Sequence, residues 1–331
     1  MKKIITLLLG ITLALTLVGC GNTSQTAIFG GSYFLNNSSN LSVGEVDETN
    51  EYSISYVQAE SQSNPIITVD SSLSNYKTHL INTVYNETPC YLLETSLQIV
   101  GTIKNGEETS NVNDLITTKV YFLGVNENLK PLYSQRNVKA KSIVKLGVNE
   151  KNEETFGVYD YDYVLTTTYD GYNSTSQIVV NKKPESDTVF NSKENVKFDN
   201  LNKLGAFIDN ELMLFAPRAM GLTSSTAKSF ITLDVVSNTT HQMTLTSVGE
   251  EPTKIIELAN YFRNNEKIAS GVLTNQVSFS INAQTKGSST VGFYADFNNK
   301  QERACLIKAI TQAPYSIGTY TYEIKSATTK N

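Results

Sequence analysis

The run "VYDYDYVL", Val158 to Leu165, gathers the side chains best equipped for chemistry. Alternation puts Tyr159, Tyr161 and Tyr163 on one face of a strand and Asp160 and Asp162 on the other, same-face neighbours lying about 6.6 Å apart. Two carboxylates at that spacing suit a Ca²⁺ ion or a glycosidase-like acid/base pair. The sequence places no third acidic group beside them, and Phe156, Val158 and Val164 share their face. The competing reading is therefore a solvated aspartate face backed by buried tyrosines. The tyrosines themselves either line a ligand cavity, pairing apolar area with a polar tip, or form plain core. His79 and His241 are the two histidines, and no G-x-S-x-G elbow accompanies them, so a hydrolase is the weakest of the functional readings. No phosphate loop, dinucleotide fingerprint, H-E-x-x-H or Ca²⁺ loop is present, and no cofactor is expected. The pairs Glu107-Glu108, Glu153-Glu154 and Glu250-Glu251 fall in polar breaks and read as solvated turns. Arg136 and Arg218 stand out because the chain has four arginines against twenty-three lysines. Each either forms a buried ion pair or sits at a cavity mouth.

The remaining reactive group is Cys20, at the seam of "TLVGCGNTSQ". Before it come Lys2 and Lys3, an uncharged run from Ile4 to Val18, and the small Gly19, which is the build of an export signal. The run is shorter than the roughly 20 apolar residues of a spanning helix and is broken by Thr6, Gly10, Thr12 and Thr16. Leu17-Val18-Gly19-Cys20 resembles the bacterial lipobox, in which the signal is cut between the residues standing here as Gly19 and Cys20 and the thiol is alkylated with diacylglycerol. Only a cysteine supplies a strong enough nucleophile in this stretch. The resemblance implies removal of residues 1–19, a lipidated (palmitate-bearing) Cys20, and attachment to a bacterial cell membrane on its extracytoplasmic side. Two or three acyl chains hold stably at about 0.8 kcal/mol per buried methylene.

With 331 residues, 40% of them hydrophobic, the chain has material for a real core. Its formal charge is −5, becoming −5 − 2 = −7 without Lys2 and Lys3, which argues against nucleic acid as a partner. Cys90 and Cys305 remain once Cys20 is lipidated; a disulfide and two buried thiols are both open. Residues 20–50 read as the lipidated cysteine followed by a Ser-, Asn- and Gly-rich tether, and 51–331 as a single β-rich domain.

The elements that must position these groups are mostly strands. In "YLLETSLQIVGTI", Tyr91, Leu93, Leu97, Ile99 and Ile103 face one way and Glu94, Ser96, Gln98 and Thr102 the other. "QVSFSIN" alternates likewise. "FITLDVV" with "HQMTLTSV" reads as one hairpin, and Asp170-Gly171 marks another through a type I′ turn. Ten to twelve strands, mostly antiparallel, are expected. Helical spacing is read in "SLSNYKTHLINTVY", "DNELMLFAPRAM" and "TKIIELANYF", with Pro217 disturbing the second.

Three stretches, "VYFLGVNENLKPLYSQRNV" with its Lys130-Pro131 turn, "LMLFAPRAMGL" around Arg218, and "ERACLIKAITQAPYSIGTYTYEI", occur in an order that resembles uncharacterised bacterial envelope proteins with a LolA-like, lipoprotein-carrier-like half-barrel. The likeness covers about residues 90–325. It implies a mainly β fold: a large curved antiparallel sheet, unclosed, around an apolar concavity plugged by a few short helices. The function expected from it is a non-enzymatic, membrane-anchored lipoprotein binding a lipid or other amphiphile in that concavity. The rival is a cell-surface module that binds an envelope protein or glycan and has an exposed apolar or aromatic patch but no interior cavity.

Overall fold

The computed structural model describes residues 42–150, 152–220, 227–247, 253–268, 270–281, 290–295 and 304–330. Gly19 and Cys20 lie outside these residues.

Among the described residues the first elements are β1 (Asp47–Gln58) and the short β2 (Ile66–Val69). It then folds as a meander of long strands: β3 (Asn75–Tyr85), β4 (Thr88–Asn105), β5 (Glu108–Phe122), β6 (Pro131–Val148), β7 (Glu154–Asp170), β8 (Asn173–Lys182) and β9 (Lys193–Phe198). The stretch 199–220 forms short helical turns, of which only α1 (Pro217–Met220) is α-helical. There follow β10 (Ala227–Asp234), β11 (Thr239–Ser247), β12 (Thr253–Glu257), β13 (Phe262–Arg263), β14 (Glu266–Lys267), β15 (Gly271–Ile281), β16 (Thr290–Ala295), β17 (Leu306–Gln312) and β18 (Gly318–Thr329).

β1 joins the two halves of the sheet, pairing with β3 on one side and β18 on the other. From β3 the order runs through β4, β5, β6, β7 and β8 to β9. From β18 it runs through β17, β16, β15 and β11 to β10. All these pairings are antiparallel; β13 adds alongside β18 in parallel. The fold is thus mainly β, one large curved sheet not closed into a barrel, with few short helices. The free edge of β10 is covered by the segment before α1, through Ile208 N–H donating to Ile231 O (3.1 Å) and Ile231 N–H to Ala206 O (2.7 Å). Covering an edge in this way removes a template for aggregation.

Alternation is obeyed where it is strongest. Tyr91, Leu93, Leu97, Ile99 and Ile103 are all buried, while Glu94 is exposed. The hairpin of β7 and β8 forms, but its two-residue turn is Gly171-Tyr172, with the positive φ of 64° on Gly171. A left-handed first turn residue followed by an ordinary one is the type II′ pattern, not the expected type I′. Two helical readings are overturned: 75–85 is the strand β3 and 253–257 the strand β12. In both, β-branched and aromatic residues favour the pleated surface over a helix that would crowd them. Those two strands, with two-residue pieces such as β13 and β14, bring the strands among the described residues to 18. The tether boundary also moves. β1 begins at Asp47, and Glu48 and Asn50 are buried, so residues 47–50 belong to the sheet.

Gly101 in β4 sits opposite Val69 of β2, where a Cβ would come 1.9 Å from the Thr68 carbonyl oxygen. Backbone cannot yield as a side chain tip does, so Gly101→Ala should detach β2 and lower stability by about 1–3 kcal/mol. Urea unfolding, with amide exchange at Ile67 and Val69, measures both effects.

Candidate functional site

Alternation along β1 sends Glu48, Asn50 and Tyr52 to the concave face, 1%, 2% and 1% exposed. They begin a polar seam that crosses the strands. Asn50 Nδ2 donates to Glu48 Oε1 (2.8 Å) and to Thr78 Oγ1 of β3 (3.3 Å). Thr95 of β4 bonds Thr118 of β5 (2.7 Å). Arg136 of β6 ends the row, hydrogen-bonded to Tyr163 of β7. Around the seam stand Tyr91, Leu93, Val120 and Phe122, all buried.

The segment 205–220 lies in this concavity as a plug. Its sequence supplies its own stops: Asp209 caps a single turn, accepting from Glu211 N–H at 2.9 Å, and Pro217 opens α1. Ile208, Leu212 and Ala216 are fully buried, and Phe215 meets Phe122 edge-on with centroids 5.6 Å apart. Two ion pairs fasten the plug to the sheet. Arg218 forks onto Glu48, Nη1 to Oε1 at 2.7 Å and Nη2 to Oε2 at 2.8 Å, while Glu211 accepts from Arg136 Nη1 at 3.0 Å. On the far side Tyr294 of β16 donates to Leu214 O at 2.7 Å.

Burial opposes the charge on Glu48, but the attraction and hydrogen bonds of Arg218, with Asn50, outweigh it and hold the carboxyl below its ordinary range. For Arg218 and Arg136 burial likewise opposes the charge, yet Glu48 and Glu211 respectively raise each above an ordinary guanidinium. Asp209 behaves oppositely: burial, reinforced by nearby Glu211, raises its pKa, and Tyr169 donates to it.

Two small spaces lie among the described residues. A cavity of about 30 Å³ lies between the two ion pairs, lined by Asn50, Tyr52, Thr78, Glu211 and Arg218 among others. A second, about 20 Å³, lies where β5 and β6 splay; there Asp114 accepts from Lys141 N–H at 2.8 Å. Each has room for roughly one water.

Tyr159, Tyr161 and Tyr163 do not border either cavity. Tyr161 and Tyr163 are buried against Phe190, and Tyr161 donates to Asp187 (3.0 Å); Tyr159 is half-buried against the same core. Tyr163 alone touches the seam, through Arg136. Asp160 is held between Lys141 (2.6 Å) and Lys182 (2.8 Å), and Asp162 accepts from Asn181 (2.9 Å), an arrangement of cross-strand neighbours on the outer face. His79 lies between Asp47 (3.0 Å) and Glu94 (3.5 Å), His241 beside Asp234 (3.5 Å). Among the described residues no group of three His, Cys, Asp or Glu is arranged to hold a metal. Cys90 and Cys305 are buried and not joined in a disulfide, which resolves that alternative. Both arginines singled out by composition are in ion pairs. Their partners Glu48 and Glu211 were not legible, although Val46, Glu48, Asn50, Tyr52 and Ile54 do keep one period of two.

Compared with protein-family profiles, curated proteins and solved structures, the chain gives no match.

Proposed function

We propose that the protein is a lipid-anchored, extracytoplasmic lipoprotein that acts by binding, taking up an amphiphile in its concavity in exchange for the plug. The observation that carries this reading is the plug itself: an apolar segment with a carboxylate, Glu211, seated on a concave face that offers aromatic surface and Arg136. That is the chemistry of an amphiphile, a tail and an anionic head, supplied in cis. The energies are commensurate. Phe207, Ile208, Leu212 and Phe215 contribute about 6–12 kcal/mol by burial, and an acyl chain of about fourteen methylenes would contribute about 11 kcal/mol in their place. The ion pairs favour exchange, since buried pairs add little net stability and both partners regain solvent or a ligand on separation. The LolA-like resemblance and the lipobox at Cys20 point the same way, as an analogy of fold and address.

Native mass spectrometry of the protein purified from its own envelope tests the reading, expecting a retained amphiphile. The paired variant Leu212→Ala/Phe215→Ala loosens the plug and is expected to take up a fluorescent sixteen-carbon fatty acid about tenfold better than the parent. No retained amphiphile and no uptake by either form would overturn it. The water-sized cavities favour a second reading, in which the outer face binds an envelope protein or glycan and the plug is permanent.

A further inference from the structure

Antiparallel order gathers particular features at one end of the sheet. The β3–β4 turn at Asn86-Glu87, the β5–β6 loop at 123–130 and the β7–β8 turn at Gly171-Tyr172 lie together there. So does the start of the described chain, because β1 runs antiparallel to β3. Ser42 O accepts from Asn82 Nδ2 (2.7 Å), and Val46 N–H donates to Asn82 Oδ1 (2.8 Å), three residues before Tyr85.

On the outer face at this end three tyrosines from three strands touch. Ring centroids lie 4.6 Å apart for Tyr85 and Tyr121 and 5.8 Å apart for Tyr85 and Tyr133. All three are half-exposed. Lys119 Nζ lies 5.8 Å from the Tyr133 ring, and Lys130 Nζ 5.3 Å from the ring of Tyr172 at the neighbouring turn, itself 47% exposed. Phenols with long cationic side chains over them match the headgroup layer of a bilayer, where an amphipathic ring and a snorkelling lysine are both satisfied. Glu87, Glu127 and Asp170 stand exposed beside them, so the patch is not net basic, and its rings and lysine stems rather than net charge would carry the contact. The opposite end also exposes apolar residues, Leu146 (55%) and Val148 (58%), but at a hairpin tip far from where the chain enters.

We infer that this end, with Tyr85, Tyr121, Tyr133 and Tyr172, is a membrane-docking surface that rests on the headgroup layer of the bilayer holding the anchor. The inference rests on the proposed lipidation of Cys20, which lies twenty-two residues before Ser42. The anchor brings the protein to the bilayer, and the tyrosines fix which end meets it.

The chain contains no tryptophan, so a single one reports its own surroundings. Tyr172→Trp and, separately, Leu146→Trp are introduced into the full lipidated protein, reconstituted in phosphatidylcholine/phosphatidylglycerol vesicles with or without acyl-brominated lipid. At position 172 the emission is expected to shift to the blue and to be quenched about twofold by brominated lipid, whereas at 146 it stays water-like. Protein that floats with the vesicles but shows water-like emission at 172, or equal quenching at both ends, overturns the docking surface and leaves the anchor standing. So does an emission shift at 172 that requires soluble glycan instead of vesicles. Protein that does not float removes the anchor reading, and this inference with it.

Discussion

Glu48→Ala is expected to lower the stability of the protein by about 3–5 kcal/mol, since it leaves the Arg218 guanidinium buried without its carboxylate. Arg218 is 6% exposed and Glu48 1%, so water cannot readily replace the lost partner. The double variant Glu48→Leu/Arg218→Met removes both charges together and should return to within about 1 kcal/mol of the parent, which separates the cost of an orphaned charge from the worth of the pair. Urea unfolding midpoints of the three proteins measure this; a single-variant loss below about 1 kcal/mol would mean that the pair does not fasten the plug. The pH dependence has a definite sign. The folded-state pKa of Glu48 lies below its unfolded value of 4.5. Its contribution is therefore fully present above that value and disappears as pH falls through the depressed folded value. Acid should therefore weaken the plug's hold at the β1 end only as pH falls well below 4.5.

Asp114→Asn is expected to stabilise the protein at pH 8 by about 2–4 kcal/mol, each pKa unit being worth about 1.4 kcal/mol. Burial raises the pKa of Asp114 from 3.8 to about 7, against the N–H and charge of Lys141, with Asp160 adding to the rise. Besides Lys141, its cavity is lined by Thr68, Tyr320 and apolar side chains such as Ile99, Val112 and Ile143. Because the folded state prefers the protonated acid, Asp114 favours folding most below about pH 4. It costs progressively more as pH rises towards about 7, and its full cost remains above that. The asparagine keeps an oxygen to accept the Lys141 N–H at 2.8 Å and never ionises. Parent and variant should therefore converge in stability near pH 4 and separate towards pH 8. Parallel curves across that range would show Asp114 to be ionised throughout in the folded protein.

The sheet was legible because its pattern is local. Tyr91 to Ile103 needs only a period of two to announce a strand, and Lys130-Pro131 does open β6. The strand β3 was misread because Leu73, Tyr76, Leu80, Ile81, Val84 and Tyr85 fit a helical spacing as well as they fit a strand. The tie is broken by pairing with β1 and β4, which lies elsewhere in the chain. Glu48 and Asn50 were misread for a related reason. Charged and amide residues announce solvent unless partners are known, and Arg218 is 170 residues away. Asp160 and Asp162, in contrast, follow alternation to the outer face, where lysines and an asparagine of neighbouring strands hold them.

By itself the sequence determined the β class, the inward tyrosine face of β7, and the two arginines worth watching, because alternation and composition are properties of a few neighbouring residues. Only the tertiary structure decided that 205–220 sits in the concavity and that four charges meet across it. It also decided that tyrosines from three strands gather where the chain enters. Each of these depends on strand order and on contacts between residues far apart in the chain, and neither period nor composition encodes which distant partner a buried charge or an exposed ring will find.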